Sequence, residues 1–284
     1  MQIINKQEEL DKICEKLSQE RVIFMDTEFH RRATYYAILS IVQIAAGDDR
    51  LIIDARCGLN LDGLKELLIN KDIVKVFHAA EQDFDIFFHS FGKLPVNVFD
   101  TQIAAGVVGM DNVMGYSRLC KAMLNINLDK TMQKANWLER PLLKPLLEYA
   151  VKDVEYLIPL YRNLSGEISS RNLWDTYNTR CTRLLDPKNY QINPQRLLKK
   201  INLYNYDAKF KEQMIHFLTL REECAQANDI PKNHCASDAE LIEICEKLPT
   251  NDQQLSQLKA RNQPIAKQKF KVRLFELCSG LRDF

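Results

Sequence analysis

Residues 21–54 read RVIFMDTEFHRRATYYAILSIVQIAAGDDRLIID. Three apolar runs of strand length stand in this stretch: 21–25 (RVIFM), 39–45 (LSIVQIA) and 50–54 (RLIID). Gly47, Asp48 and Asp49 separate the last two, and such residues close hairpins. Outward from these strands, residues 10–17 read as a short helix. Leu61, Leu64, Leu67 and Leu68 recur at helical spacing within 59–68. Residues 73–78 (IVKVFH) read as a strand, 82–91 as a helix and 98–99 as a short extended piece. Strands followed by helix–strand alternation predict an α/β sheet of mixed direction.

From Thr101 onward the pattern is helical. Residues 145–161 give the clearest helix, with Leu146, Leu147, Ala150, Val154, Leu157 and Leu160 in helical register. Residues 186–194 (DPKNYQINP) hold two prolines, two asparagines and no periodicity, which marks a boundary. Beyond it, Pro231, Pro249 and Pro264 punctuate a small helical domain. The expected division is an α/β domain over 1–170, connecting helices over 171–205 and a helical domain over 206–284.

Composition narrows the function classes. The chain has 284 residues, 46% hydrophobic and 27% charged, so it can build ordinary globular cores. No apolar run approaches the ~20 residues of a membrane helix, so an integral membrane protein of that kind is not expected. The opening MQIINKQEEL has no apolar stretch of the secretory type. Eight cysteines are spread along the chain with no C-x-x-C pair, which fits reduced thiols in a cytoplasm and argues against a zinc site. Residues 1–170 carry 20 Lys+Arg against 24 Asp+Glu, and 171–284 carry 19 against 14. An acidic front suits cations and a basic tail, with Lys199, Lys200, Lys209 and Lys211, suits a polyanion. No G-x-x-x-x-G-K-[ST] or G-x-G-x-x-G occurs, so no nucleotide cofactor is expected.

The acidic residues with chemical promise fall in order. Asp26 and Glu28 follow the first apolar run and, two apart on a strand, share a face. Neighbouring carboxylates repel unless a cation lies between them. Asp83 and Asp85 are both candidates at the start of the helix after IVKVFH. Tyr149 and Asp153, about 400° apart on the long helix, share a face too. Four hard carboxylate ligands are what a pair of Mg²⁺ or Mn²⁺ ions needs.

This ordered set resembles the DEDD 3′–5′ exonucleases of the subtype with Tyr in the third motif, ribonuclease D among them. Motif one is Asp26-Thr27-Glu28-Phe29, followed by Arg31 and Thr34-Tyr35-Tyr36. Motif two runs from His78 to Asp83, and its spacing picks Asp83 over Asp85. Phe99-Asp100-Thr101-Gln102, Leu128-Asp129-Lys130 and Trp137 through Leu142 also match. Motif three is Tyr149-Ala150-x-x-Asp153-Val154. Leu220 to Glu223, Ile230-Pro231 and Ala239 to Leu241 resemble one HRDC domain. Ala37 departs from the family's usual Pro, and the chain has room for one HRDC domain where the enterobacterial relative carries two.

The resemblance implies a ribonuclease H-like mixed sheet flanked by helices, followed by a small all-α HRDC-like domain. It implies two divalent metal ions (Mg²⁺ or Mn²⁺) on Asp26, Glu28, Asp83 and Asp153, with Tyr149 orienting the attacking water. The implied activity is 3′–5′ exoribonuclease trimming of RNA such as tRNA precursors, releasing nucleoside 5′-monophosphates, by a cytoplasmic monomer. An exonuclease of single-stranded DNA and a non-catalytic RNA-binding module are the alternatives. Phe29, Tyr35 and Tyr36 are candidates for base stacking. Arg31, His78, Lys130, Trp137 and Arg140 complete the expected nucleic-acid-binding set.

Overall fold

The computed structural model describes residues 1–129, 131–260 and 268–282. Its contacts divide the chain into two units. The first holds Met1–His30 and Ala37–Tyr190, and the second holds Arg31–Tyr36 and Gln191–Phe284. The boundary at Tyr190 lies inside the Pro/Asn-rich segment read from the sequence. Among the described residues, no helix is long and apolar enough to cross a membrane.

The first unit is built on six strands: β1 (Gln2–Ile4), β2 (Val22–His30), β3 (Ile38–Ala46), β4 (Asp49–Asp54), β5 (Val74–Phe77) and β6 (Val98–Asp100). They lie in the order β1-β4-β3-β2-β5-β6. β2, β3 and β4 pair antiparallel, while β1 on β4, β5 on β2 and β6 on β5 pair parallel. Ala46 pairs with Asp49 across a two-residue loop. Gly47 at φ 48° supplies the left-handed first position such a loop requires. β1 lies in a stretch that reads as merely polar, because three residues are too few to show a period.

Eight helices belong to this unit: α1 (Gln7–Leu17), α2 (Asp62–Ile69), α3 (Glu81–Phe91), α4 (Thr101–Val107), α5 (Tyr116–Leu124), α6 (Lys144–Glu155), α7 (Leu157–Ser170) and α8 (Trp174–Leu184). The alternation of β2 sorts them into two layers. Ile23 and Met25 pack with Leu10, Leu64 and Phe84, whereas Phe24 packs with Phe99, Leu119, Val154 and Leu160. Ile41 and Ile52 bury Trp137, Leu146 and Ala150 on a smaller cluster under α6.

Two expectations are corrected. The single helix over 145–161 is two helices that meet at Tyr156. Pro159 has no N–H for the carbonyl of Glu155 and its ring crowds that carbonyl, so α6 ends there. Proline is tolerated in the first turn of α7. The apolar run 21–25 is only half of its strand, because pairing with β3 carries β2 on to His30, past a register shift between Glu28 and Phe29.

The second unit contains α9 (Pro194–Leu198), α10 (Ala208–Ala227), α11 (Asp238–Lys247), α12 (Asp252–Ser256) and α13 (Gln268–Arg282). Met214, Phe217, Leu241, Ile244, Phe270 and Leu274 are fully buried in its core. Ser237 and Glu240 form a reciprocal capping box at the start of α11. Arg221, 1% exposed, donates to Asp238 at 2.6 Å and to the Ala236 carbonyl at 3.2 Å, so the buried charge is paired.

Candidate active site

Period-two geometry makes one tripeptide serve both faces of the sheet. Asp26 lies opposite Gln43 and Glu28 opposite Ile41, so both carboxylates stand on the α6 face. Thr27 points to the other face, where its hydroxyl donates to Asp83 Oδ1 at 2.5 Å. From α6, Asp153 brings a carboxylate up to Asp26 and Glu28. One oxygen from each of the three lies within 4.8 Å of the others. Tyr149, one turn earlier, is hydrogen-bonded to Asp153.

Asp26, Thr27, Glu28, Asp83, Tyr149 and Asp153 line one cavity of 510 Å³, together with Phe29, His78, Gln82, Tyr116 and Gln133. Burial drives its electrostatics. Desolvation, then Asp153, pushes Asp26 well above the usual carboxylate range, although the Thr27 amide opposes the shift. Desolvation, followed by the charges of Asp26, Asp153 and Asp83, pushes Glu28 up to about 10. Asp83 is raised by burial and by Asp26, and Asp153 chiefly by burial. The Tyr149 hydroxyl is raised as well, by burial and then by Asp153. Hard oxygen donors crowded in a poorly solvated cleft fit a divalent cation, which would relieve both the desolvation and the mutual repulsion.

Asp100 fixes the approach to Asp83. Its carboxylate accepts from the amides of Gln102 and Ile103, capping α4. It also accepts from Ala79 and Ala80 at 3.2 and 2.9 Å. Ala79, at φ 55°, takes the left-handed conformation that ends β5 and starts α3. His78 Nδ1 lies 2.9 Å from Thr101 Oγ1, and that hydroxyl donates to the Phe77 carbonyl. The threonine proton is thereby committed, so the imidazole is the donor of the pair. Burial lowers the His78 pKa, which keeps the ring neutral.

The remaining nucleic-acid candidates divide. Phe29 lines the cavity and also packs on the core. Trp137, expected to touch the substrate, is 2% exposed; it packs under α6 with its ring centroid 6.1 Å from that of Tyr149. Arg140 grips Asp54 with two bonds of 2.7 Å and the Trp137 carbonyl with a third. Trp137 therefore packs beneath the helix that carries Tyr149 and Asp153, and Arg140 ties the Trp137 carbonyl to Asp54 and Ser40 of the sheet. Arg31, Tyr35 and Tyr36 belong to the second unit, where Tyr35 donates to Glu222. Lys130 lies outside the described residues.

Sequence reasoning passed over Thr27, Gln82, Tyr116 and Gln133. Thr27 alone left a signal, since a strand residue between two same-face carboxylates must face the opposite layer. Tyr116 opens α5, and its hydroxyl donates to the Lys152 carbonyl at 3.0 Å.

Residues 1–169 match a family described as 3′-5′ exonuclease, and 216–271 match the HRDC domain. Ribonuclease D of Nitrobacter hamburgensis is 33% identical over 92% of this chain and 68% of its own length. That of Gluconacetobacter diazotrophicus is 30% identical over 99% and 72%. The crystal structure of Escherichia coli RNase D, described as an exoribonuclease involved in structured RNA processing, superposes with a TM-score of 0.86 at 25% identity. It covers 100% of this chain and 75% of its own. Brucella melitensis NrnC with bound Mg²⁺ superposes with a TM-score of 0.53 at 25% identity, over 67% of this chain and 90% of its own. Family model, relatives and fold agree: this chain belongs to the ribonuclease D family of 3′–5′ exoribonucleases.

Proposed function

We propose that the chain shortens structured RNAs from the 3′ end, tRNA precursors among them, releasing nucleoside 5′-monophosphates as a cytoplasmic monomer. The observation that carries this reading is the convergence of Asp26, Glu28 and Asp153 within 4.8 Å, with Asp83 and Tyr149 in the same cavity. Asp26, Glu28, Asp83 and Asp153 would hold two Mg²⁺ or Mn²⁺ ions. Such ions supply Lewis-acid stabilisation of phosphate charge and make a bound water more acidic.

The protein's part is positioning. The Tyr149 hydroxyl, its pKa raised by burial and Asp153, stays protonated at neutral pH. It therefore orients the attacking water by hydrogen bonding and does not act as the base. Thr27 fixes one oxygen of Asp83 and leaves the other to turn toward the cavity. Phe29, at the cavity wall, offers a face to the terminal base, a contact that tolerates any sequence.

The test uses matched 5′-labelled single strands of RNA and DNA with Mg²⁺, Mn²⁺ or EDTA, beside Asp153→Asn. A ladder shortening from the 3′ end of RNA, lost in EDTA and in the variant, is expected. Equal trimming of DNA would move the function to DNA. Binding without cleavage of either strand would replace it with an RNA-binding role.

A further inference from the structure

Gln43 lies in the middle of β3 and is fully buried. Among the described residues, neither its Oε1 nor its Nε2 has a hydrogen-bond partner. Ile41 and Ala45 flank it on the same face of β3, and Ile52 stands opposite it on β4, all three without exposure. Asp54, the acid diagonal to it on β4, is committed to Arg140 and to the Arg56 amide. On β2 the residue directly opposite is Asp26, with Glu28 on the diagonal. Directly opposed side chains of an antiparallel pair start about 5 Å apart and diagonal ones about 7–8 Å, so Asp26 is the nearer acceptor.

A buried carboxamide with no partner works against folding, and an apolar side chain of its shape would fill the place at less cost. Two acids of the site already have side-chain partners: Thr27 donates to Asp83, and Tyr149 is hydrogen-bonded to Asp153. Asp26 takes the Thr27 amide, and one of its oxygens belongs to the group it forms with Glu28 and Asp153. We propose that Gln43 is the positioning residue of Asp26: its Nε2 donates to the second carboxyl oxygen and so holds the first toward the cations. The terminal torsion of a glutamine is broad, so the amide can turn onto the acid without leaving its rotamer. Fully buried, Gln43 touches no substrate and acts through Asp26, as outer hydrogen bonds act through metal ligands. This rests on the proposed metal-dependent activity for the ligand role of Asp26, whereas the placement of Gln43 does not.

Gln43→Met and Gln43→Leu remove the amide and keep a side chain of similar bulk. Both are read in the full chain by melting in EDTA, by calorimetric titration with Mn²⁺, and by kcat and KM on a labelled single-stranded RNA. Each variant is expected to melt at or above wild type in EDTA, since the lost amide had no partner. Each should bind Mn²⁺ about 10–100-fold more weakly, and kcat at limiting Mn²⁺ should fall with it while KM for RNA changes less than about threefold. In wild type the side-chain NH₂ resonances of Gln43, identified as the pair missing from the spectrum of Gln43→Met, should move downfield on addition of Mg²⁺ as the amide takes a charge-assisted bond. In a protein that cuts RNA, unchanged Mn²⁺ affinity, or NH₂ resonances that Mg²⁺ does not move, would overturn this role alone. Variants that melt well below wild type in EDTA, with metal affinity lost in step, would make Gln43 a packing residue and overturn it as well. Mn²⁺ affinity that responds to Gln43 in a protein that cuts no RNA would leave the role standing and overturn the proposed activity.

Discussion

Replacing Glu28 by Gln should stabilise the metal-free protein and abolish its nuclease activity. Folding moves this carboxyl beside Asp26, Asp153 and Asp83 and pushes it from 4.5 up to about 10. At pH 7 the unfolded chain carries Glu28 ionised, while the metal-free folded chain holds it protonated. Taking up that proton costs about 1.4 kcal/mol for each pH unit above 4.5, or roughly 3 kcal/mol at neutrality. Water in the open cavity reduces this, so Gln should gain about 1–3 kcal/mol, or roughly 2–9 °C in the melting of a unit of this size. The sign fixes the pH window. Below about pH 4.5 both states are protonated and the advantage vanishes; it grows as pH rises toward 10. Differential scanning calorimetry at pH 5, 7 and 8.5 in EDTA, and again in Mg²⁺, reads the whole pattern. Wild type should gain stability from Mg²⁺ most at high pH, where ions and protons compete least, and the Gln variant should gain less. A variant that melts at or below wild type in EDTA at pH 8.5 would refute the electrostatic account of the site.

Thr27→Val should lower divalent-ion affinity or turnover by about 10–100-fold, because Asp83 Oδ1 loses the donor that orients it, and Thr27→Ser should recover most of it. Calorimetric titration with Mn²⁺ checks the loss without reference to activity. Tyr149→Phe should reduce kcat by about 100-fold with KM for RNA changed less than about threefold, as read by initial rates, since the hydroxyl serves the attacking water. Arg140→Lys gives up the two-pronged grip on Asp54 and should lower stability by about 1–3 kcal/mol in a urea melt. If Arg140 ties Trp137 to the sheet and does not hold RNA, the Kd for RNA measured well below the melt stays at the wild-type value.

How far the residues announced this site depends on the kind of signal each carries. The hairpin announced itself because two long apolar runs flank a glycine turn, and strand pairing needs nothing more. Asp26, Glu28, Tyr149 and Asp153 could be grouped because sheet and helix periods are fixed, so spacing alone gives the face. Nothing local pairs Thr27 with Asp83, 56 residues apart; that contact depends on where β2 and α3 are placed by the whole sheet. Trp137 misled for a related reason, and Arg140 has structural partners that spacing does not show. An aromatic and a cation just before the third motif look like substrate contacts, and only tertiary packing shows the ring under α6 and the guanidinium on Asp54. The split of the long helix was within reach, since Pro159 stands in the sequence, but apolar periodicity runs straight through it.

Much of the family pattern lies outside the proposed ligand set, for a physical reason. Four crowded carboxyl groups have no mutual attraction to hold their geometry in the absence of a cation, so the scaffold must do it. Asp26 and Glu28 are held by strand register, and Asp153 by a helix wedged on Trp137. Asp83 depends on a left-handed Ala79 whose amide and that of Ala80 are tied to Asp100, the N-cap of α4. The Phe99-Asp100-Thr101-Gln102 segment therefore carries no ligand, yet it sets the turn from which Asp83 is aimed. Its aspartate spends its acceptors on backbone amides at 2.8–3.2 Å, two from each of two turns. A carboxylate saturated this way cannot swing into the cavity to compete for a cation. That separates Asp100 from Asp83, although both are aspartates near the end of a strand.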